Sequence, residues 1–272
     1  EDIIIINNPD DAERIAENNI QKTPYLKPFV YESIISTTDT KHWKNQRSHY
    51  QPAFSVENNL KKLIPISNAR AELSVDILRN MPKNCDGEYV NIHEFFLYET
   101  MAQLQLALFG FSNDFQEETN LKIRKAFLNN DPIYARKFIS SFLNEIKTSP
   151  GPLSKSMKER NKLHQNKKEI IGNSLIFPFA GHDTTANTLS WLIYEICKNK
   201  IIYNKLQQEV DTFWKNHHNN IQYDDLKELK YMTRCIQETL RLWTSIPNGT
   251  SRELINDDYI TGKSGEKVIL PK

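Results

Sequence analysis

The stretch "FAGHDTTANTLSW", Phe179–Trp191, decides how this chain is read. With "IIGNSLIFP" before it and "LIYEIC" after, it forms the most apolar region of a sequence otherwise rich in asparagine and lysine. The region has the length of a long, largely buried helix, from about Ile170 to Asn199. Yet Gly181, His182, Asp183, Thr184 and Thr185 run consecutively through its middle. A mid-helix glycine costs about 1 kcal/mol against alanine, and Asp and Thr are poor helix formers. Such a conflict marks either a helix N-cap or a place where function overrides local foldability.

Working outward, the pattern is mainly α with a small β portion. Downstream, helices are predicted over residues 201–216 and Tyr231–Trp243. The tail "YITGKSGEKVILP" alternates and carries glycines, which reads as a β-hairpin. Upstream, a charged helix runs to about Glu169, and "TSPGPLS", Thr148–Ser154, reads as the clearest internal linker. Residues 115–147 hold two amphipathic stretches broken at Asp131-Pro132. Residues 92–109 are helical and stop at Gly110, and "NCDG", Asn84–Gly87, is a turn. A helix is expected from Val56 to Asn80, bent or split at Pro65, and another from Thr40 to the approach to Pro52. Residues 23–40 read as irregular, Pro9 and Asp10 open a short helix, and "IIII", Ile3–Ile6, reads as a buried strand.

The bulk numbers narrow the function. The 272 residues, 39% of them hydrophobic, carry 35 basic and 34 acidic side chains for a net charge of +1. That balance gives no electrostatic case for nucleic acid. No run of 18 apolar residues exists, so no membrane span is expected. Cys85, Cys197 and Cys235 are too few and too scattered for a disulfide scaffold or a zinc site, and fit a reducing compartment. His217-His218, in "NHHNN", read as a solvated loop rather than metal ligands.

Four stretches, in order, carry a resemblance. "HWKNQRSHYQPAFS" contains Trp43-x-x-x-Arg47 before a Pro-Ala-Phe run. "FAGHDTT" has the small-Gly-x-acid-Thr-Thr pattern. "LKELKYMTRCIQETLRLW" contains Glu238-x-x-Arg241, and "PNGTSREL" places Arg252 beyond it. Together they resemble the cytochrome P450 family, haem-thiolate monooxygenases, of the eukaryotic microsomal type. The resemblance implies one partial domain over residues 1–272 with haem as cofactor. Its chemistry is the insertion of one atom of O2 into an apolar small molecule, with electrons supplied by a partner reductase.

The resemblance also implies roles. Trp43 and Arg47, on one helix face, hold a haem propionate, and Arg252 sends a second cation to the propionates. Gly181 permits close approach on the distal side of the haem, where the family's helix is locally widened. Thr184 bonds back to a carbonyl four residues earlier or to a water, and Asp183 relays a proton. Glu238 and Arg241 form a structural pair, buried beneath the haem and locked by a third partner.

The sequence departs from the family in three places. Pro178 lies one turn before Asp183 and is expected to disturb the helix there. The interval from Arg47 to Gly181 is short, so the helices that roof the substrate cavity are expected to be reduced. The family's axial ligand lies in a Phe-x-x-Gly-x-x-x-Cys-x-Gly loop, and no such loop occurs in this sequence. None of the three cysteines replaces it, so catalysis by this chain alone is not expected. Two readings follow: a truncated member of an enzyme lineage, or a degenerate, non-catalytic helical binding or interaction protein that holds haem weakly or not at all.

Overall fold

The computed structural model describes residues 4–19, 21–55, 59, 61–80, 91–119, 132–164, 166–218, 221–247, 249 and 251–271. The predicted turn at Asn84–Gly87, together with Cys85 and the start of the Val56 helix, lies outside the described residues. The chain divides into two compact units. One comprises Glu1–Ser48, Lys167–Asn173 and Asn248–Lys272, and the other His49–Asn166 and Ser174–Pro247.

In the first unit, α1 (Pro9–Asn18) begins where the sequence demands. The Asn8 side chain accepts from the Asp10 and Asp11 amides at 3.0 and 3.2 Å, and Pro9 fills the first helical position, which needs no donor. Residues 23–40 are less irregular than expected. A 3-10 turn (Pro24–Leu26) leads into one helical turn, α2 (Lys27–Val30), and the buried Ser33 and Ser36 hydroxyls bond each other at 2.9 Å. α3 (Thr40–Tyr50) follows as predicted. Strands β1 (Asp258–Thr261) and β2 (Lys267–Leu270) pair antiparallel, with Asp258 opposite Leu270. The hairpin is clasped to α1 by three groups. Asp11 accepts from the Thr261 amide at 2.7 Å, Arg14 pairs with Asp258, and Asn19 donates to Asp258 at 3.2 Å.

The expected strand at Ile3–Ile6 is overturned for its described part. Residues 4–6 have no strand structure, and Ile5 is 85% exposed. A strand needs a ladder partner, and β1 and β2 use their described pairing on each other.

The second unit is helical. It holds α4 (Lys61–Asn80), which continues through Pro65, and α5 (Ile92–Leu104), which passes into a π-turn at Gln105–Phe109. α6 (113–119), α7 (Pro132–Thr148) and α8 (Pro152–His164) follow, then most of α9 (Lys167–Lys198), α10 (Lys200–His217) and α11 (Lys230–Leu242). Gly110 ends the π-turn in the left-handed region, φ 70°, as a C-terminal glycine should. Phe109, Phe111, Phe115 and Phe142 knot the core around this point, with ring centroids 5.0–5.2 Å apart.

The supposed linker is part of that core. Ser149, Leu153 and Ser154 are buried, the Gly151 amide donates to the Phe109 carbonyl at 3.2 Å, and the Ser154 hydroxyl donates to the same carbonyl at 2.8 Å. A Cβ on Gly151 would collide with the Phe109 backbone. Glycine and proline stand here because two backbones approach closely, not because the chain is loose.

Candidate functional site

Within the first unit, α3 carries Trp43 and Arg47 one turn apart. The Arg47 guanidinium lies 5.9 Å from the Trp43 ring centre. Lys22, which the sequence did not single out, sits over the same ring at 5.2 Å and donates to the Ile34 carbonyl at 2.8 Å. An isolated antiparallel bridge between Lys22 and Arg252 brings the third cation alongside. Burial first, then the neighbouring Arg252 and Arg47 charges, push the Lys22 ammonium down to about 8. No carboxylate among the described residues pairs with Lys22, Arg47 or Arg252, and the Arg252 Nε is buried without a hydrogen-bond partner. Three cations beside an indole, without a carboxylate partner among the described residues, can receive an anion. This is the chemistry that two propionates require, so these side chains fit the acidic edge of a haem.

His42 and His49, which flank the motif, are engaged elsewhere. His42 Nε2 lies 3.1 Å from Glu169, and His49 Nε2 is 3.0 Å from the Ser156 carbonyl within the second unit.

In the second unit, α9 answers the conflict noted in its sequence. Residues 180–185 are mid-helix, not an N-cap, and the helix is α throughout, continuing past Pro178. It is not widened around Gly181; the π-turn lies in Gln105–Phe109 instead. The close approach at Gly181 is made by Leu104 of α5, since a Cβ there would stand 2.9 Å from the leucine Cδ2. The Thr184 hydroxyl donates to the Ala180 carbonyl at 2.8 Å, four residues back. The Thr184 carbonyl in turn receives the Thr188 and Ser245 hydroxyls, each at 2.9 Å. Asp183 is half-buried, and its carboxylate makes no hydrogen bond to any described residue. A helix thus presents an unpaired carboxylate and a hydroxyl at consecutive positions. His182 Nδ1 is turned back to the Pro178 carbonyl at 2.8 Å.

Glu238 and Arg241 form a two-pronged pair at 2.7 and 2.8 Å, but the side chains are 55% and 67% exposed rather than buried. The face of α11 that holds them is open among the described residues, and Leu240 and Leu242 beside them are also exposed. The end of α11 is anchored instead by Trp243, which stacks on Trp191 of α9 at 3.9 Å and donates to Glu195 at 2.9 Å. Cys197 and Cys235 lie within α9 and α11, and burial pushes the Cys235 thiol up. His217 is not in a solvated loop: it ends α10, with Asp225 and Glu228 at its two ring nitrogens.

Residues 133–271 match the family described as Cytochrome P450, and the chain belongs to that family, one of haem-dependent monooxygenases. Among relatives, it is similar to Cytochrome P450 3A12 of Canis lupus familiaris, with 26% identity over 89% of this chain and 55% of the relative. It is 28% identical to Cytochrome P450 3A7 of Homo sapiens, over 82% of this chain and 52% of the relative. A shorter likeness, 36% identity over 38% of this chain, is to Cytochrome P450 6a8 of Drosophila melanogaster. The chain spans about half the length of the first two relatives.

Proposed function

We propose that this chain is the haem-propionate and proton-delivery portion of a monooxygenase acting on an apolar small molecule, with electrons from a partner reductase. Lys22, Trp43, Arg47 and Arg252 hold the propionates. Asp183 accepts a proton from solvent, and the Thr184 hydroxyl holds it at the end of the relay. Haem, when bound with an axial thiolate, supplies the cleavage of O2. Gly181 packs α9 against α5 and sets the height at which the pair is presented. The observation that carries this reading is the cluster of three cations, with the buried Arg252 Nε left for an acceptor. Cys197 lies within α9 and Cys235 within α11, where burial pushes its thiol up, so neither described cysteine is assigned the role of axial thiolate.

The test is a haem titration of the 272-residue chain, followed by the spectrum of its reduced carbon-monoxide complex. Stoichiometric binding that weakens in Arg47→Gln and Arg252→Gln, with a spectrum lacking thiolate character, is the expected result. A thiolate-type spectrum would overturn the claim about the cysteines. The open face around Glu238 and Arg241 favours a second reading, a non-catalytic helical binding protein; absence of saturable haem binding would select it.

A further inference from the structure

His217 is the last residue of α10, where the helix's unpaired carbonyls favour a cation. Across from it lies the 3-10 turn Tyr223–Glu228, held in shape by a capping box between Gln222 and Asp225. The imidazole spans two carboxylates of that turn. Its Nδ1 is 3.3 Å from Asp225 Oδ2, and its Nε2 is 3.0 Å from Glu228 Oε2. The Phe213 ring, 4.6 Å away at a tilt, covers one side of the imidazole.

We propose that protonated His217 is a pH-sensitive latch that fastens the Tyr223–Glu228 turn to the end of α10. Nε2 hydrogen-bonds Glu228 and Nδ1 makes an ion-pair contact with Asp225, and only imidazolium presents an N–H to both carboxylates at once. Loss of one proton removes the ring's charge and sets a bare lone pair against one of the two carboxylates, so either the Glu228 hydrogen bond or the Asp225 ion pair is given up. A metal ion is the competing reading of the same three side chains, since one ligand atom from each lies within 4.8 Å of the other two, but it would have to displace the contacts the ring already makes. Here the two carboxylates are engaged by opposite nitrogens of one ring.

The charges around the latch are otherwise occupied. Asp224 of the turn pairs with Lys227 at 3.8 Å and with Lys61 of α4 at 3.5 Å. Glu209 of α10 accepts from the Tyr231 and Met232 amides of α11 at 2.7 and 2.8 Å, and Lys205 lies over the Tyr231 ring at 4.3 Å. Asp225 and Glu228 are therefore the charges that set the state of His217, and bonding to Glu228 first raises its pKa above the ordinary histidine value. The sign follows: the latch is complete below about pH 6.5 and is lost as pH rises through the raised folded value. Glu228 also lines a cleft of about 360 Å3 with Phe213, Asn216 and Tyr231, so release of the turn unfastens one wall of that cleft.

The experiment uses the 272-residue chain, with imidazole resonances followed by NMR against pH and His217 assigned from His217→Gln. The titration midpoint is expected above about 6.5, returning towards that value in Asp225→Asn/Glu228→Gln. Amide exchange over residues 223–228, corrected for its intrinsic pH dependence, is expected to speed by about tenfold from pH ~6 to pH ~8.5, the equivalent of one charge-assisted hydrogen bond. His217→Gln should remove that extra dependence, and Glu228→Gln, an exposed change that spares the fold, should halve it on the same logarithmic scale. A midpoint at or below the ordinary value would overturn the latch, as would exchange with no excess pH dependence. Micromolar Zn2+ binding with proton release, abolished in His217→Gln, would overturn it in favour of a metal centre.

Discussion

Lys22 combines three environments: a hydrogen bond to Ile34, the face of Trp43, and two neighbouring guanidinium groups. With its folded pKa depressed to about 8, the folded chain binds fewer protons than the unfolded chain between that value and about 10.4. Stability from this group therefore rises with pH across that window. Anion binding needs the charged form, so haem affinity falls as pH rises through about 8, and Lys22→Gln flattens the profile; haem titrations on either side of that pH measure both effects. At Gly181 the limit is steric. Gly181→Val overpacks against Leu104 and destabilises by about 1–3 kcal/mol, a loss that urea denaturation should show shrinking in a Leu104→Ala background. Trp43, Arg47, Asp183 and Thr184 were singled out because each lies in a short stretch that carries the family resemblance. Lys22 was not, since its partner Arg252 comes from the far end of the sequence.

The helices were mostly readable from their apolar spacing and punctuation, and their ends moved by only a few residues. What periodicity did not reveal is which ion pairs are interior. Arg70 of α4 and Glu99 of α5 are both 8% exposed and joined by two hydrogen bonds, while the more conspicuous Glu238–Arg241 pair is exposed. The two should respond very differently. Arg70→Met leaves Glu99 buried without its cation and costs about 3–5 kcal/mol, most of it recovered in Arg70→Met/Glu99→Leu. Glu238→Gln shifts the denaturation midpoint little, because solvent screens that pair. Chemical denaturation of the three variants checks the ranking. The misread segment at Thr148–Ser154 has the same origin: "SPGP" marks a sharp change of chain direction equally well in a linker and in a packed corner.

Over the whole molecule, the described chain is most exposed to acid at the clasp between α1 and the hairpin. The Thr261 amide holds the Asp11 carboxyl below its usual range. Burial raises Asp258, but Arg14 and the Tyr259 amide outweigh this and bring it down. Both carboxylates thus stabilise the folded state above the ordinary carboxylate range, and that contribution is lost as pH falls through their lowered values. Arg14→Gln should move hairpin release to higher pH, read by amide exchange at Tyr259 and Thr261; an unchanged release pH would refute the role given to Arg14.

The sequence by itself pointed to the family through four stretches taken together in order, and to the helical class and the closing hairpin through spacing within single segments. The tertiary structure alone decided that Lys22 joins the cationic cluster, that Gly181 answers to Leu104 and that the Glu238–Arg241 pair faces solvent. It also set His217 between two carboxylates. Those outcomes depend on which distant segments meet, and burial and pairing across such distances are set by packing rather than by local propensity.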